Sequence, residues 1–379
     1  MRRMRRRSLA LMTAIFMLTL PASANMPDGT VSTFNQALQT GDAEIIVSAA
    51  KQFGATAITH PEDKQAPIAA FEAGNQLCLW GACADAVPMA EFLQEHEEEL
   101  PVSRDQVDIL AAFAAWSASE KDKVADVAFE DVLKVYLKSA PSLLSLAAYE
   151  SYAADAVGTE KWRKVRERAT LAVQHIEPAR DVVPKRWATL SLLEASAHFN
   201  AMRSVSAVQE VADIENWLYR KRIVEDVDGL DDVYYTASAW RAAMGAYFRG
   251  VTRQDYLRTR QIDEQVEEFR HNTKKPEGAA EPDGPSLCTG RVVTPPRPMY
   301  PDNAAYNGYI GAVLLSFDFL DGEPVNFHIL AAVPDGEFEQ TTLESMKSFE
   351  WEWDEEQENS DCTKTKEDAV IYPFEYVMR

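Results

Sequence analysis

Residues 296–330, PRPMYPDNAAYNGYIGAVLLSFDFLDGEPVNFHIL, decide how this chain divides. Everything before them is rich in alanine, with apolar residues at helical spacing. Here large apolar residues alternate with small or polar ones around an Asp-Gly pair. Over 308–320, Ile310, Ala312, Leu314, Ser316 and Asp318 fall on one side, and Gly311, Val313, Leu315, Phe317 and Phe319 on the other. That is the period of a half-buried strand. Asp321-Gly322 suits a tight hairpin turn, whose two central positions prefer positive φ. Residues 324–330 supply the return strand, with Val325, Phe327 and Ile329 on one face. Over 336–349 the period turns helical, with Phe338, Leu343, Met346 and Phe349 along one side, and a last strand is expected over 369–378. Hairpin, helix and strand make about the smallest unit that can bury a core.

Upstream, residues 25–270 read as helix after helix. The stretches 111–138, 145–176, 188–221 and 234–269 keep apolar residues near i, i+3, i+4 and i+7. Pro141, Gly158, Pro178, Pro184 and Gly229 mark the places where helices should stop or turn. A small-aromatic texture recurs at Ala111-Ala112-Phe113-Ala114-Ala115-Trp116, Ala147-Ala148-Tyr149 and Ala237-Ser238-Ala239-Trp240. Its spacing drifts from about 35 to about 45 residues, against the period near 34 of tetratricopeptide-like helical hairpins. A degenerate repeat array, solenoid or irregular bundle, is the expectation. At 271–285, HNTKKPEGAAEPDGP is nearly free of apolar residues and reads as a solvated linker. The expected organisation is therefore multidomain, α followed by α+β: a leader at 1–24, a helical domain at 25–270, a linker at 271–287 and a small ββαβ domain at 288–379.

The leader is read from its own pattern. Five arginines lie within MRRMRRRS, an apolar run follows at 9–20, and Ala22-Ser23-Ala24 has the spacing of a cleavage site. The run is short of the roughly 20 residues that span a bilayer, so a cleaved signal peptide and an exported chain are expected. Removing those arginines would take the formal charge from −22 to −27. A surface so acidic repels the phosphates of nucleic acid and anionic lipid, so neither is an expected partner. Four cysteines, an even number in an exported chain, read as two disulfides with three possible connectivities. Proximity favours Cys78–Cys83, which leaves Cys288–Cys362 to bracket the β-rich module. Five positions along an unbroken helix rise about 7.5 Å, too far for a bridge. A break is needed between Cys78 and Cys83, and Gly81 would supply it. Zinc is the weaker reading, since no histidine stands near the C-x4-C pair.

The module also resembles a known family. Tyr300-Pro301 followed by Ala304 or Ala305, then Gly311-x-Val313, Phe317, Asp321-Gly322, Val325, Ile329, Phe338, Leu343 and an aromatic pair after the helix is similar to the TonB C-terminal domain. The resemblance covers 292–379. It implies a ββαβ fold in the periplasm of a Gram-negative bacterium. It also implies binding to outer-membrane receptors by strand addition at an exposed sheet edge. The chain departs from the family in its cleavable leader, its helical region, its short linker and the acidic DEEQENSD stretch before the last strand.

In this reading the candidate edge is the last strand, through Val370, Ile371, Tyr372, Phe374 and Tyr376. Tyr372 and Tyr376 share a face and would meet a partner if that face is not packed on the helix. Pro373 has no N–H and belongs on an edge; whether it tunes pairing or only protects the strand stays open. Tyr300, Pro301 and Gly311 carry the family motif. The acidic run through 350–361 lacks the ligand spacing and turn glycine of a calcium loop and reads as solvated. The six histidines (His60, His96, His175, His198, His271, His328) form no H-E-x-x-H, and no G-x-S-x-G, P-loop or G-x-G-x-x-G follows a strand. Trp116, Tyr149, Trp187, Trp217 and Trp240 read as core rather than as a ligand cage. No cofactor, metal or catalytic role is expected. The chain reads as a periplasmic protein-binding protein, accessory to outer-membrane transport or envelope organisation. Two alternatives are an anchored energy transducer, if the leader is retained, and an enzyme hidden in the helical region.

Overall fold

The computed structural model describes residues 26–27, 29–96, 102–119, 122–159, 161–273, 286–294, 298–354 and 362–377. The leader, most of the linker and the acidic residues 355–361 lie outside them. The described residues are mostly helical, with a small C-terminal sheet region. They fall into two compact units, divided between Asp181 and Val182.

The first unit contains α1 (Thr30–Thr40), α2 (Ala43–Thr59), α3 (Ala66–Leu79), α4 (Val87–Glu95), α5 (Arg104–Ala118), α6 (Lys123–Val135), α7 (Leu143–Val157) and α8 (Trp162–Ile176). Side chains that satisfy the orphan N–H groups of the first turn set several helix starts. Asp42 accepts from the N–H groups of Glu44 and Ile45, and Asp122 from Val124. Ser142 and Ser145 form a reciprocal capping box. Successive helices pack together, and α3 also touches α5 and α7. Phe113, Trp116, Phe129 and Tyr152 form an aromatic cluster between α5, α6 and α7. Beneath it Arg168 of α8 is almost fully buried. Its guanidinium lies 3.7 Å from the Tyr152 ring centroid and pairs with Asp126 and Asp155, so the buried charge is compensated.

The Cys78–Cys83 bridge joins the end of α3 to a 3-10 turn at Cys83–Ala86, with the two Cα atoms 3.8 Å apart. Gly81, at φ +83°, makes the break between them, as the spacing required.

The second unit begins with α9 (Pro184–Met202), α10 (Val205–Ile223), α11 (Asp231–Phe248) and α12 (Arg253–Asn272). Three of the four long stretches read as helical resolve into helix pairs: α7/α8, α9/α10 and α11/α12. The stretch at 111–138 spans the end of α5 and all of α6. Pro141, Gly158, Pro178, Pro184 and Gly229 all fall at helix ends or connections. Glu215 of α10 is fully buried; it accepts from Arg241 of α11 and Arg270 of α12, each at 2.5 Å, and from Ser238. One carboxylate thereby cross-links three helices.

The same unit continues through β1 (Gly290–Thr294), α13 (Asp302–Tyr306), β2 (Gly311–Leu320), β3 (Glu323–Val333), α14 (Glu339–Ser345), β4 (Glu350–Trp353) and β5 (Lys366–Tyr376). β2 is the centre of an antiparallel sheet of order β3-β2-β5, while β1 pairs with β4 in a separate antiparallel ribbon. Asp321 and Gly322 take φ +52° and +89°, the hairpin turn expected of that pair. Phe338, Met346 and Phe349 pack on Val313, Leu315, Phe317 and Phe319 of β2 to form the core of one face.

Four features differ from the sequence reading. The short β1, α13 and β4 were not expected. α14 is shorter than 336–349, and Leu343 is 41% exposed, so the buried polar Thr342 takes the inward position on that helix. The division between units lies within the helical stretch rather than at 271–287, so four helices share a unit with the sheet. Finally, β2 is buried on both faces. Ala312, Leu314 and Ser316, opposite the side that carries Val313, Leu315 and Phe317, are covered as well, and α11 packs across β2, β3 and β5.

Candidate functional site

β5 is an edge. It pairs with β2 alone, and among the described residues no strand pairs with its outer side. The register from Gly311↔Tyr376 to Phe317↔Val370 runs without a shift. The opposite edge, β3, is interrupted by two register shifts and carries Asn326 at φ +51°, with its amide donating to Asp318 at 3.0 Å. Bulges of this kind bend and protect an edge. β5 is therefore the flatter and more available of the two.

The side chains of β5 alternate in a way that corrects one expectation. Phe374 and Tyr376 are buried, with Val370 and Tyr372 packed at the margin of the same core. Tyr376 is 2% exposed, stacks on Phe338 at 4.3 Å and shares a hydrogen bond with Thr342 at 2.6 Å. Burial pushes its phenol above the ordinary range. The face shared by Tyr372 and Tyr376 is thus packed on the helix, and Tyr376 cannot meet a partner's side chain. Ile371, Pro373 and Glu375 occupy the alternate face, toward α11. Ile371 is 50% exposed and Pro373 is exposed, while Glu375 pairs with Arg249 at the end of α11. Burial raises the Glu375 carboxyl above its ordinary value, and Arg249 offsets part of that rise.

Within a strand, the N–H and C=O of one residue point to the same side, and successive residues alternate. A proline fits an edge strand with its nitrogen turned outward. Pro373 therefore places Ile371, Pro373 and Glu375 in the row that faces away from β2. Ile371 and Glu375 offer donors there, and Pro373 leaves a gap between them.

The motif residues converge on the core that holds β5 in place. Tyr300 donates its hydroxyl to the Tyr309 carbonyl and packs edge-on against Phe338 and Tyr376, with centroids 5.7 and 6.0 Å away. Pro301 caps α13. A Cβ at Gly311 would collide with the Phe338 ring and the Val333 carbonyl, so glycine is required for this close approach. Cys288–Cys362, with Cα atoms 4.9 Å apart, joins the start of β1 to the segment leading into β5; Leu287 bridges Thr363 beside it.

The remaining candidates are dispersed. Trp116, Tyr149 and Trp187 are buried, and Trp217 and Trp240 partly so. His175 and His198 are buried and bonded, His60 and His96 are half-buried, and His271 and His328 are exposed. Among the described residues no group of three or more His, Cys, Asp or Glu is placed to hold a metal ion, and no helix is long and apolar enough to cross a membrane. The sequence reading missed α11 as the cover of the sheet, and with it the Arg249–Glu375 tie. A signal was present: Ala312-Val313-Leu314-Leu315 is an uninterrupted apolar run, the mark of a strand covered on both faces. No family model, curated protein or solved structure matches this chain.

Proposed function

We propose that this chain is an exported periplasmic protein that binds other envelope proteins, and that the outer edge of β5 accepts an extended segment as a fourth strand. The observation that carries the reading is the position of β5: an edge strand, in unbroken register with β2 from Val370 to Tyr376, with its other side unpaired among the described residues. Backbone groups at Ile371 and Glu375 would supply affinity, and the exposed Ile371 side chain some selectivity. Two further points support it. The hairpin–helix–strand order of 311–376 accords with the resemblance to TonB C-terminal domains. The two disulfides suit an oxidising compartment. The helix pairs α7/α8, α9/α10 and α11/α12 support reading the helical region as degenerate hairpin repeats.

The test is a titration of extended eight-residue peptides, rich in β-branched residues, into the full chain, followed by amide shifts. Binding should perturb 370–377 and leave 323–333 unmoved. Pro373→Val restores one donor to the outer row and should tighten binding several-fold, since a net hydrogen bond contributes about 1 kcal/mol. No shift at 370–377 with any peptide, or self-association of the Val variant without tighter peptide binding, would leave β5 a purely structural strand.

A further inference from the structure

The first unit carries an open groove of about 570 Å³ whose walls are three helix faces. α4 contributes Val87, Ala90, Glu91 and Gln94, and α5 contributes Asp108, Ala111, Ala112 and Ala115. Both sets follow i, i+3, i+4, i+7, the stripe a helix presents along one face. α6 completes the groove with Asp131, Val132 and Val135, together with Tyr136 just past its end. The groove thus follows the helix axes for two turns, about 10 Å. Three alanines from α5 make its floor shallow enough for another backbone to approach.

Two observations indicate what fits there. Val135 at the rim is 73% exposed, an apolar side chain that the described residues leave uncovered. The lining includes three carboxylates, Glu91, Asp108 and Asp131, but no lysine or arginine. Asp108 is occupied: it accepts from the Tyr136 hydroxyl, which is pushed up to about 12 by that hydrogen bond, and lies 3.8 Å from Arg104. Glu91 and Asp131 are exposed on opposite walls, from α4 and α6. A guest with apolar residues on one stripe and positive charges on both flanks would match this floor and both walls.

We propose that the groove receives a helical segment of another protein, carrying an aliphatic stripe flanked by lysines or arginines. The guest helix lies along α5 between α4 and α6, its i, i+3, i+4, i+7 side chains on the alanine floor and its cations beside Glu91 and Asp131. This surface is separate from the β5 edge, and neither reading depends on the other.

The probe is a labelled 15-residue helical peptide with leucines at i, i+3, i+4 and i+7 and lysines on both flanks, titrated into the full chain by fluorescence anisotropy. Two peptides serve as controls: one with the same composition scrambled to break the stripe, and one with glutamate replacing lysine. Ala115→Trp fills the groove from an exposed position, and Glu91→Lys with Asp131→Lys reverses both walls. Circular dichroism checks that each variant keeps its helices, and if one unfolds the other still decides. The lysine peptide should bind wild type at least tenfold more tightly than the scrambled one. Both variants should lose at least tenfold, and the wall reversal should admit the glutamate peptide. Equal binding of scrambled and striped peptides would show general attraction to an acidic chain and overturn the proposal. So would unchanged binding in both variants, or no binding up to about 1 mM.

Discussion

His175 shows how a single residue can carry functional-looking chemistry with a structural purpose. Its Nε2 lies 2.8 Å from Ser145 Oγ, its Nδ1 lies 3.2 Å from the Leu137 carbonyl, and its ring stacks on Tyr149 at 4.2 Å. A serine beside a histidine suggests a nucleophile, but both are buried and Ser145 is already spent on the capping box. Burial disfavours the charged imidazolium and lowers its pKa below the ordinary value. The sign follows. Above about pH 6.5 the ring is neutral in both folded and unfolded chains and contributes no slope. As pH falls below that, the unfolded chain takes up a proton that the folded chain resists, so stability is lost toward the lowered folded value. Urea unfolding between pH 7.5 and 5 should show the wild type losing stability, relative to His175→Gln, as pH falls. The glutamine side chain does not titrate. Parallel slopes in the two proteins would refute this account. Glu72 and Glu375 have raised pKa values and slope the opposite way, but both remain in the variant, so the difference isolates His175.

At the scale of elements, the parts that local chemistry dictates were legible in the sequence. The Asp321-Gly322 turn, the helix stops at Pro141, Gly158 and Gly229, and the break at Gly81 each follow from one residue's backbone preference. β4 was not legible. Glu350-Trp351-Glu352-Trp353 alternates as a strand should, but its partner β1 lies 60 residues earlier in the register Gly290↔Trp353, and no local signal names it. The fit is close: a Cβ at Gly290 would collide with the Trp351 indole. The disulfides act at this scale too, and differ in reach. Cys78–Cys83 closes five positions and Cys288–Cys362 closes 74. If each acts by restricting the unfolded chain, the short loop contributes about 2 kcal/mol and the long one about 4 kcal/mol. Chemical denaturation of Cys78→Ser with Cys83→Ser, against Cys288→Ser with Cys362→Ser, should show the second pair costing roughly twice as much. A larger loss from the first pair would mean that the bridge at the end of α3 holds native packing rather than chain entropy.

For the whole molecule, the decisive relation is the packing of α11 on the sheet. The TonB-like resemblance begins near 292 and the linker composition suggests a boundary at 271–287, so the sequence invites a cut there. The physical boundary is set by which apolar faces need a cover. With residues 231–248 removed, Ala312, Leu314, Ser316 and Val333 would face water, and Glu375 would lose Arg249. That face could not be recognised as buried from the strand alone, because serine, alanine and aspartate on it read as polar or small. Nor does α11 declare its partner, since its buried residues (Val233, Tyr234, Ala239, Ala243 among them) are spread around the helix rather than confined to one stripe. A fragment of 288–379 should therefore aggregate or show collapsed amide dispersion. A fragment of 182–379, which keeps α9 to α12 and the Glu215 cross-link, should be monomeric and reproduce the full chain's shifts for 311–376. Size-exclusion chromatography with amide spectra distinguishes them. A monomeric 288–379 fragment with native shifts in β2 would show that the sheet needs no cover, and would return the boundary to the linker. The same result would make that fragment, rather than the full chain, the right object for testing the β5 edge.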